Sequence, residues 1–225
     1  MNLYIVRHGN PDYVNDRLTE LGHKQAESCA HELAKLNIDE IYSSPYGRAQ
    51  ETAAHLAELI GKPVQIEPWA HEVEHYGDNL AGGVTFAVSM PPYFLRSPEI
   101  EAMGDKWATH PAFRGEEGVL RMVNEIKDGA TDFLARMGYV VEGNRLRIEQ
   151  NNEKNVVLFC HAGMFLIFAG FLLQIPDLTA WHSFFMYQTG ISWVNIYNYD
   201  SGYTVPRFLS INDTSHLREN GLPLT

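Results

Sequence analysis

The residues of this sequence best suited to chemistry are few, and each follows a short apolar run. Arg7 and His8 follow residues 3–6, Ser44 and then Arg48 follow residues 40–43, His71, Glu72 and Glu74 follow residues 64–66, and His161 and Gly163 follow residues 156–160. A guanidinium is a planar fork of donors that grips phosphate oxygens in pairs, so two arginines suit a phosphoryl group whose charge spreads over its equatorial oxygens. A neutral imidazole is a competent nucleophile, and flanking cations keep its lone pair free by penalising the imidazolium. A carboxylic acid such as Glu72 or Glu74 can hand a proton to a leaving oxygen. Together these types predict phosphoryl transfer driven by positioning and electrostatic stabilisation.

For such residues to meet, the elements carrying them must end on one edge. Residues 3–6 read as a buried strand running into the turn-forming Gly9-Asn10-Pro11-Asp12. Thr19 is placed to cap a helix whose apolar Ala26, Cys29, Ala30, Leu33 and Leu36 recur at three and four. A strand at 40–43 leads to Ser44-Pro45, read as an N-cap and first helical residue, with Gly61 as the stop. A third strand, 64–66, stops at Pro68. From 78 to 118 the periodicity fades while Gly82-Gly83, Pro91-Pro92, Pro98 and Pro111 accumulate, which predicts an inserted lid. An amphipathic helix over 119–137, a hairpin over 139–148 and a buried strand at 156–160 follow. An apolar helix ending before Pro176 and strands at 191–197 and 205–211 complete the chain. Helices alternating with continuously apolar strands predict the α/β class: a three-layer sandwich with a mostly parallel central sheet flanked by helices. Residues 1–225 are expected to form one domain with the lid inserted at about 78–118. Ligands of open α/β sheets bind beyond the carboxyl ends of the strands, where the chemically apt residues fall.

Three segments, in order, carry a family resemblance. Val6-Arg7-His8-Gly9, Tyr42-Ser43-Ser44-Pro45-Tyr46-Gly47-Arg48-Ala49-Gln50-Glu51-Thr52-Ala53 and Phe159-Cys160-His161-Ala162-Gly163 resemble the histidine phosphatase superfamily, which includes the cofactor-dependent phosphoglycerate mutases. Leu18-Thr19-Glu20-Leu21-Gly22 and residues 212–217 are also similar to its members, so the resemblance spans nearly the whole chain outside the lid. It implies that His8 becomes phosphorylated while Arg7, Arg48 and His161 hold the phosphoryl oxygens. It also implies a carboxylic acid that protonates the leaving oxygen and later activates water. Glu72 is assigned that role because it lies just past Trp69, where the family's acid is expected; the spacing to Gly77 departs by one residue from the mutase-like pattern, which keeps Glu74 as the alternative. Many members place Ser or Thr where Pro11 stands, and proline cannot donate, so Asn10 or Tyr13 is the expected substitute. Asn10 and Gly163 join Arg7, Arg48 and His161 as expected substrate-binding residues. The resulting expectation is hydrolysis of a small phosphate monoester through a phosphohistidine, with no metal and no cofactor. Mutase-type transfer to a second hydroxyl, and binding of a phosphorylated ligand without turnover, are the alternatives.

Two rival chemistries share these segments. His71-Glu72-Val73-Glu74-His75 fits H-E-x-x-H, in which both histidines ligate zinc from one helix face; Pro68 and Gly77 leave only about two turns for such a helix, and this reading ranks last. A thiol nucleophile at Cys160 would need an arginine six positions on, where Leu166 stands. Within the lid, Tyr93, Phe94, Trp107 and Phe113 are candidates to pack on an organic group, and Arg96, Lys106, His110 and Arg114 to meet a second anion. The competing expectation is that they only pack the insertion against the core.

Composition bounds the remainder. The 225 residues are 45% hydrophobic and 20% charged, ordinary for a globular chain able to bury a core. A net charge of −11 disfavours nucleic acid and anionic membrane as partners, leaves a small phosphorylated metabolite as the expected one, and obliges the chain to build a positive pocket against its own field. No run approaches the roughly 20 apolar residues of a membrane helix, and the opening residues lack the pattern of a signal peptide, so a cytoplasmic location is expected. Cys29 and Cys160, each within an apolar element, read as buried free thiols.

Overall fold

A computed structural model of the protein describes residues 1–79 and 82–225; residues 80 and 81 of the expected lid lie outside the described residues. Six strands, β1 (Asn2–Arg7), β2 (Glu40–Ser43), β3 (Val64–Ile66), β4 (Asn155–Cys160), β5 (Ile191–Asn195) and β6 (Arg207–Asp213), form a sheet in the order β6-β5-β1-β4-β2-β3. The pairs β1–β4, β4–β2 and β2–β3 are parallel, while β5 runs antiparallel to both β1 and β6. The sheet is therefore mostly parallel, as its apolar strands predict.

Successive side chains of a strand point to opposite faces, and both faces of β1 are covered. Tyr4 and Val6 join Cys29, Ala30 and Leu33 of α1 (Glu20–Ala34) and Ala53 and Leu56 of α2 (Gly47–Ile60) in one core. Leu3 and Ile5 join Val123, Ile126 and Phe133 of α3 (Glu116–Arg136) and Phe165 and Phe168 of α4 (Ala162–Leu173) in the other. Each such aliphatic side chain stabilises the fold by about 1.5–3 kcal/mol on burial. Two helical layers thus enclose the sheet, and the α/β sandwich expected from the sequence is the one observed. Apolar on all sides, α4 is a core helix; no helix among the described residues is long and apolar enough to cross a membrane.

Local signals hold in part. Thr19 caps α1 by accepting from Gly22 N at 3.1 Å, and Gly61 closes α2 at φ +67°. The expected start of α2 is corrected: its first residue is Gly47 behind Tyr46, with no side-chain cap, because the Ser44 hydroxyl is engaged by His161 across the sheet edge. Residues 71–75 are not helical, so His71 and His75 share no helix face and the zinc motif loses its geometry; His75 Nε2 instead meets the Phe113 carbonyl at 2.5 Å.

The segment expected as a lid folds into a hairpin, Tyr76–Asp78 with Val84–Phe86, and short turns that start on prolines at Pro92, Pro98 and Pro111. Val88, Met90, Phe94, Leu95 and Phe113 are buried in the same core as α3 and α4. Trp107 packs edge-on against Phe113 at 4.9 Å and Trp181 at 5.4 Å, and of the four aromatic candidates only Tyr93 faces solvent. Arg96 donates to the Thr179 carbonyl and Ser183, His110 faces Glu99, Arg114 pairs with Asp78, and Lys106 is exposed. The packing expectation therefore describes Phe94, Trp107 and Phe113, and Arg96 and Arg114 meet local partners. Cys29 and Cys160 are both buried and free.

Candidate active site

β1 ends at Arg7, and His8 extends the ladder by donating its N–H to the Cys160 carbonyl at 2.9 Å. That bond fixes the backbone of His8 at the carboxyl edge, beside the end of β4. Its ring Nδ1 lies 2.7 Å from the Gly9 carbonyl, which can only accept; Nδ1 therefore carries the hydrogen and Nε2 keeps its lone pair. Burial, then the Arg7 charge, lowers the His8 pKa to about 3, with the Gly9 bond opposing and Arg48 adding to the shift. The ring is consequently neutral throughout the physiological range.

His161 follows β4 directly, is fully buried, and lies 5.1 Å from His8 between ring centroids. Its Nε2 is 2.7 Å from Ser44 Oγ, which also accepts from Tyr46 N at 3.2 Å. Burial, and next the proximity of His8 and the charges of Arg48 and Arg7, hold its pKa well below the usual range. Arg7 Nη1 donates to the Met186 carbonyl at 2.6 Å. Arg48, on the first turn of α2, is buried with its guanidinium 4.7 Å from the Tyr46 ring centre and 5.4 Å from that of Tyr13. Three donors, Arg7 Nε, Arg48 Nε and His161 Nδ1, are buried without a partner among the described residues. Buried unsatisfied donors are costly, and a cluster of them on two cations and an imidazole matches an anion.

Glu72 keeps some exposed surface, yet its carboxyl group is desolvated by the protein around it. It accepts from Val73 N at 2.9 Å and Met164 N at 3.1 Å, at the start of α4. Burial raises its pKa against the opposing pull of the Val73, Met164 and Gly163 N–H groups and of Arg7. Gly163 sits against this carboxylate: a Cβ there would stand 2.3 Å from Val73 Cγ2 and 2.7 Å from Glu72 Oε1. Its nearest business is thus to admit Glu72. Glu74 is exposed and bonded to the Tyr46 hydroxyl.

Asn10 anchors the loop, its Oδ1 accepting from Thr19 Oγ1 and its N–H donating to Gln25, both at 2.8 Å. Tyr13 presents its ring to His8 edge-on at 6.4 Å. The structure thus gathers Arg7, His8, Arg48, Glu72 and His161 at one sheet edge. The sequence reading missed Asp16, whose carboxylate meets Arg48 at 2.5 Å, and Thr52, which accepts from Gly9 N at 3.0 Å. Thr52 lies inside the second motif segment, whereas a lone loop aspartate carries no sequence signal.

Residues 3–82 match the model described as histidine phosphatase superfamily (branch 1), covering the strand end that bears Arg7 and His8 and the helix start that bears Arg48. Over this segment the chain is similar to the histidine phosphatase superfamily. Among curated relatives, phosphoserine phosphatase 1 of Hydrogenobacter thermophilus is 29% identical over 56% of this chain and 61% of its own. Glucosyl-3-phosphoglycerate phosphatase of Mycolicibacterium vanbaalenii is 28% identical over 77% and 75%. The chain spans under two thirds of the length of the first curated relatives it matches, 39%, 61% and 35%. The fold likeness is wider: the Entamoeba histolytica phosphoserine phosphatase solved with 3-phosphoglyceric acid superposes with a TM-score of 0.63 at 22% identity, over 96% of this chain and 98% of that one.

Proposed function

We propose that this protein belongs to the histidine phosphatase superfamily and hydrolyses small phosphate monoesters through a phosphohistidine on His8. The observation that carries the reading is the His8 tautomer, with Nδ1–H spent on the Gly9 carbonyl and the Nε2 lone pair free beside the unpartnered donors of Arg7, Arg48 and His161. In the first step Nε2 forms a bond to phosphorus as the bond from phosphorus to the leaving oxygen breaks, and Glu72 gives that oxygen its proton. In the second, water attacks phosphorus, its proton returns to Glu72, and the N–P bond breaks to release inorganic phosphate. The arginines balance the equatorial charge. Ser44, already accepting from Tyr46 N–H, can donate to His161 Nε2, which leaves the His161 hydrogen on Nδ1 for a phosphoryl oxygen. Glu72 is preferred to Glu74 because a raised pKa suits a donor that must start protonated.

Nucleophile, charge stabilisers and acid are all side chains of this chain, so the reading requires no metal and no cofactor. It takes residues 1–225 as one domain in the cytoplasm, acting on a phosphorylated metabolite and not on nucleic acid or membrane, in keeping with the charge of −11. Because relatives are named for phosphoserine and glucosyl-3-phosphoglycerate, the test is a panel of phosphorylated metabolites that begins with those two. Inorganic phosphate release and transfer to an added hydroxyl acceptor are scored for wild type and His8→Ala. Release by wild type alone is the expected outcome; no substrate turned over, or equal release by both proteins, rejects the reading.

A further inference from the structure

We infer that Asp16 is a resident competitor for the phosphate pocket, its carboxylate occupying Arg48 in the resting protein and giving way when a phosphate monoester binds. The inference rests on the phosphatase reading above and concerns what the pocket holds between turnovers. Asp16 Oδ1 lies 2.5 Å from Arg48 Nη1, the arginine side chain being 8% exposed and the aspartate 44%. Its second oxygen, Oδ2, accepts from Gly47 N at 2.7 Å, the first N–H of α2. A guanidinium N–H and a helix-start N–H are donors of the kind an anion engages, so the carboxylate holds Nη1 of the same guanidinium whose Nε is left unpartnered.

The surrounding residues are arranged to allow this approach. A Cβ at position 47 would stand 2.2 Å from the Asp16 carbonyl oxygen, so any side chain there would push the loop off Arg48. Asp16 itself adopts φ +48°, a left-handed conformation that Asp and Asn accept more readily than most residues. Asp12 braces the preceding turn, accepting from Val14 N, Asn15 N and Nδ2, and Arg17 Nε at 2.8 to 3.3 Å. Between the two aspartates the apolar side chains face solvent, Tyr13 at 65% and Val14 at 92% exposure. The loop therefore has a formed shape but little apolar anchorage, and the Asp16 contacts join the Tyr13 ring over Arg48 in tying its tip to α2.

A carboxylate on Arg48 offsets the positive charge that Arg7 and Arg48 place in the pocket while it waits, and it holds the guanidinium in place. The same contact lowers apparent anion affinity by the fraction of time that Arg48 is engaged. Asp16 touches no reacting atom in this scheme; it is a positioning residue that sets how strongly substrate and product phosphate are held.

Asp16→Asn retains an oxygen for Gly47 N–H and tolerates the backbone conformation, and Asp16→Gly removes both oxygens without strain at positive φ. Binding of inorganic phosphate and of orthovanadate to wild type and both variants is measured by calorimetry, together with KM and kcat. The expected result is binding about three- to tenfold tighter in both variants with KM falling alongside, as release of an internal competitor requires. Phosphate bound no tighter, or more weakly with a raised KM, by variants of unchanged thermal midpoint overturns the competitor role and leaves the phosphatase reading standing. A wild type that neither binds phosphate nor turns over any ester, like His8→Ala, overturns both.

Discussion

Glu72 is the residue whose environment and proposed task can be set against each other most directly. A carboxyl group raised in pKa by burial is protonated further up the pH scale than an ordinary glutamate, which suits a proton donor and makes the ionised form a burden on the fold. Glu72→Gln is expected to lower kcat by about 10²–10⁴-fold on alkyl phosphates, the size typical of a lost general acid. On p-nitrophenyl phosphate, whose leaving group needs no proton, the loss should be far smaller. Steady-state kinetics on the two substrates checks this; equal losses would assign Glu72 to structure alone. Arg7, His8, Arg48, His161 and Glu72 were legible because each follows an apolar strand. Asp16 was not: it sits in a non-periodic loop, and its meaning comes from a contact 32 residues away.

The elements work by bringing sequence-distant ends together at close range, and α4 shows how little slack exists. Gly163 lets the start of that helix lie against Val73 and Glu72, with room for no Cβ. Gly163→Ala is expected to cost about 1–3 kcal/mol of stability, as overpacking does, and to displace the Glu72 carboxyl group. Urea unfolding should show the first effect. The second should appear as a larger kcat loss on alkyl than on p-nitrophenyl phosphate. Strands and long helices could be read from periodicity, but two elements could not. The start of α2 was misread because Ser44, a good N-cap by type, is recruited by His161, and no local pattern reports that competition. The internal structure of the segment at 78–118 was not legible because its described residues include turns started by prolines, too short for periodicity to emerge, whose apolar residues reach the main core.

At the scale of the molecule, two buried neutral histidines couple the pocket to stability. The folded-state pKa of His8 is lowered to about 3 and that of His161 is also lowered, while in the unfolded chain both titrate near 6.5. The unfolded state therefore binds more protons below pH 6.5, and stability falls as pH drops through the window from about 6.5 toward 3. Each histidine contributes a slope of about 1.4 kcal/mol per pH unit well inside that window. Replacing His8 with Asn should remove about one such increment, measured by urea unfolding at pH 7, 5.5 and 4.5; an unchanged slope would mean the His8 ring is charged in the folded protein. An acidic chain thus keeps a cationic pocket by setting a buried Arg48, a partly buried Arg7 and two uncharged rings at the edge of a mostly parallel sheet.

Phosphoryl transfer to His8 is a covalent step, and trapping the phosphohistidine examines it without an intermediary assumption. Enzyme mixed with a turned-over phosphate ester and quenched in alkali is digested and the peptide bearing His8 is weighed by mass spectrometry. The expected result is a phosphoryl group on His8 that is stable in base, lost in acid, and absent from His8→Ala. Turnover at full rate with that peptide never phosphorylated, or with the phosphoryl group on another residue, would contradict it.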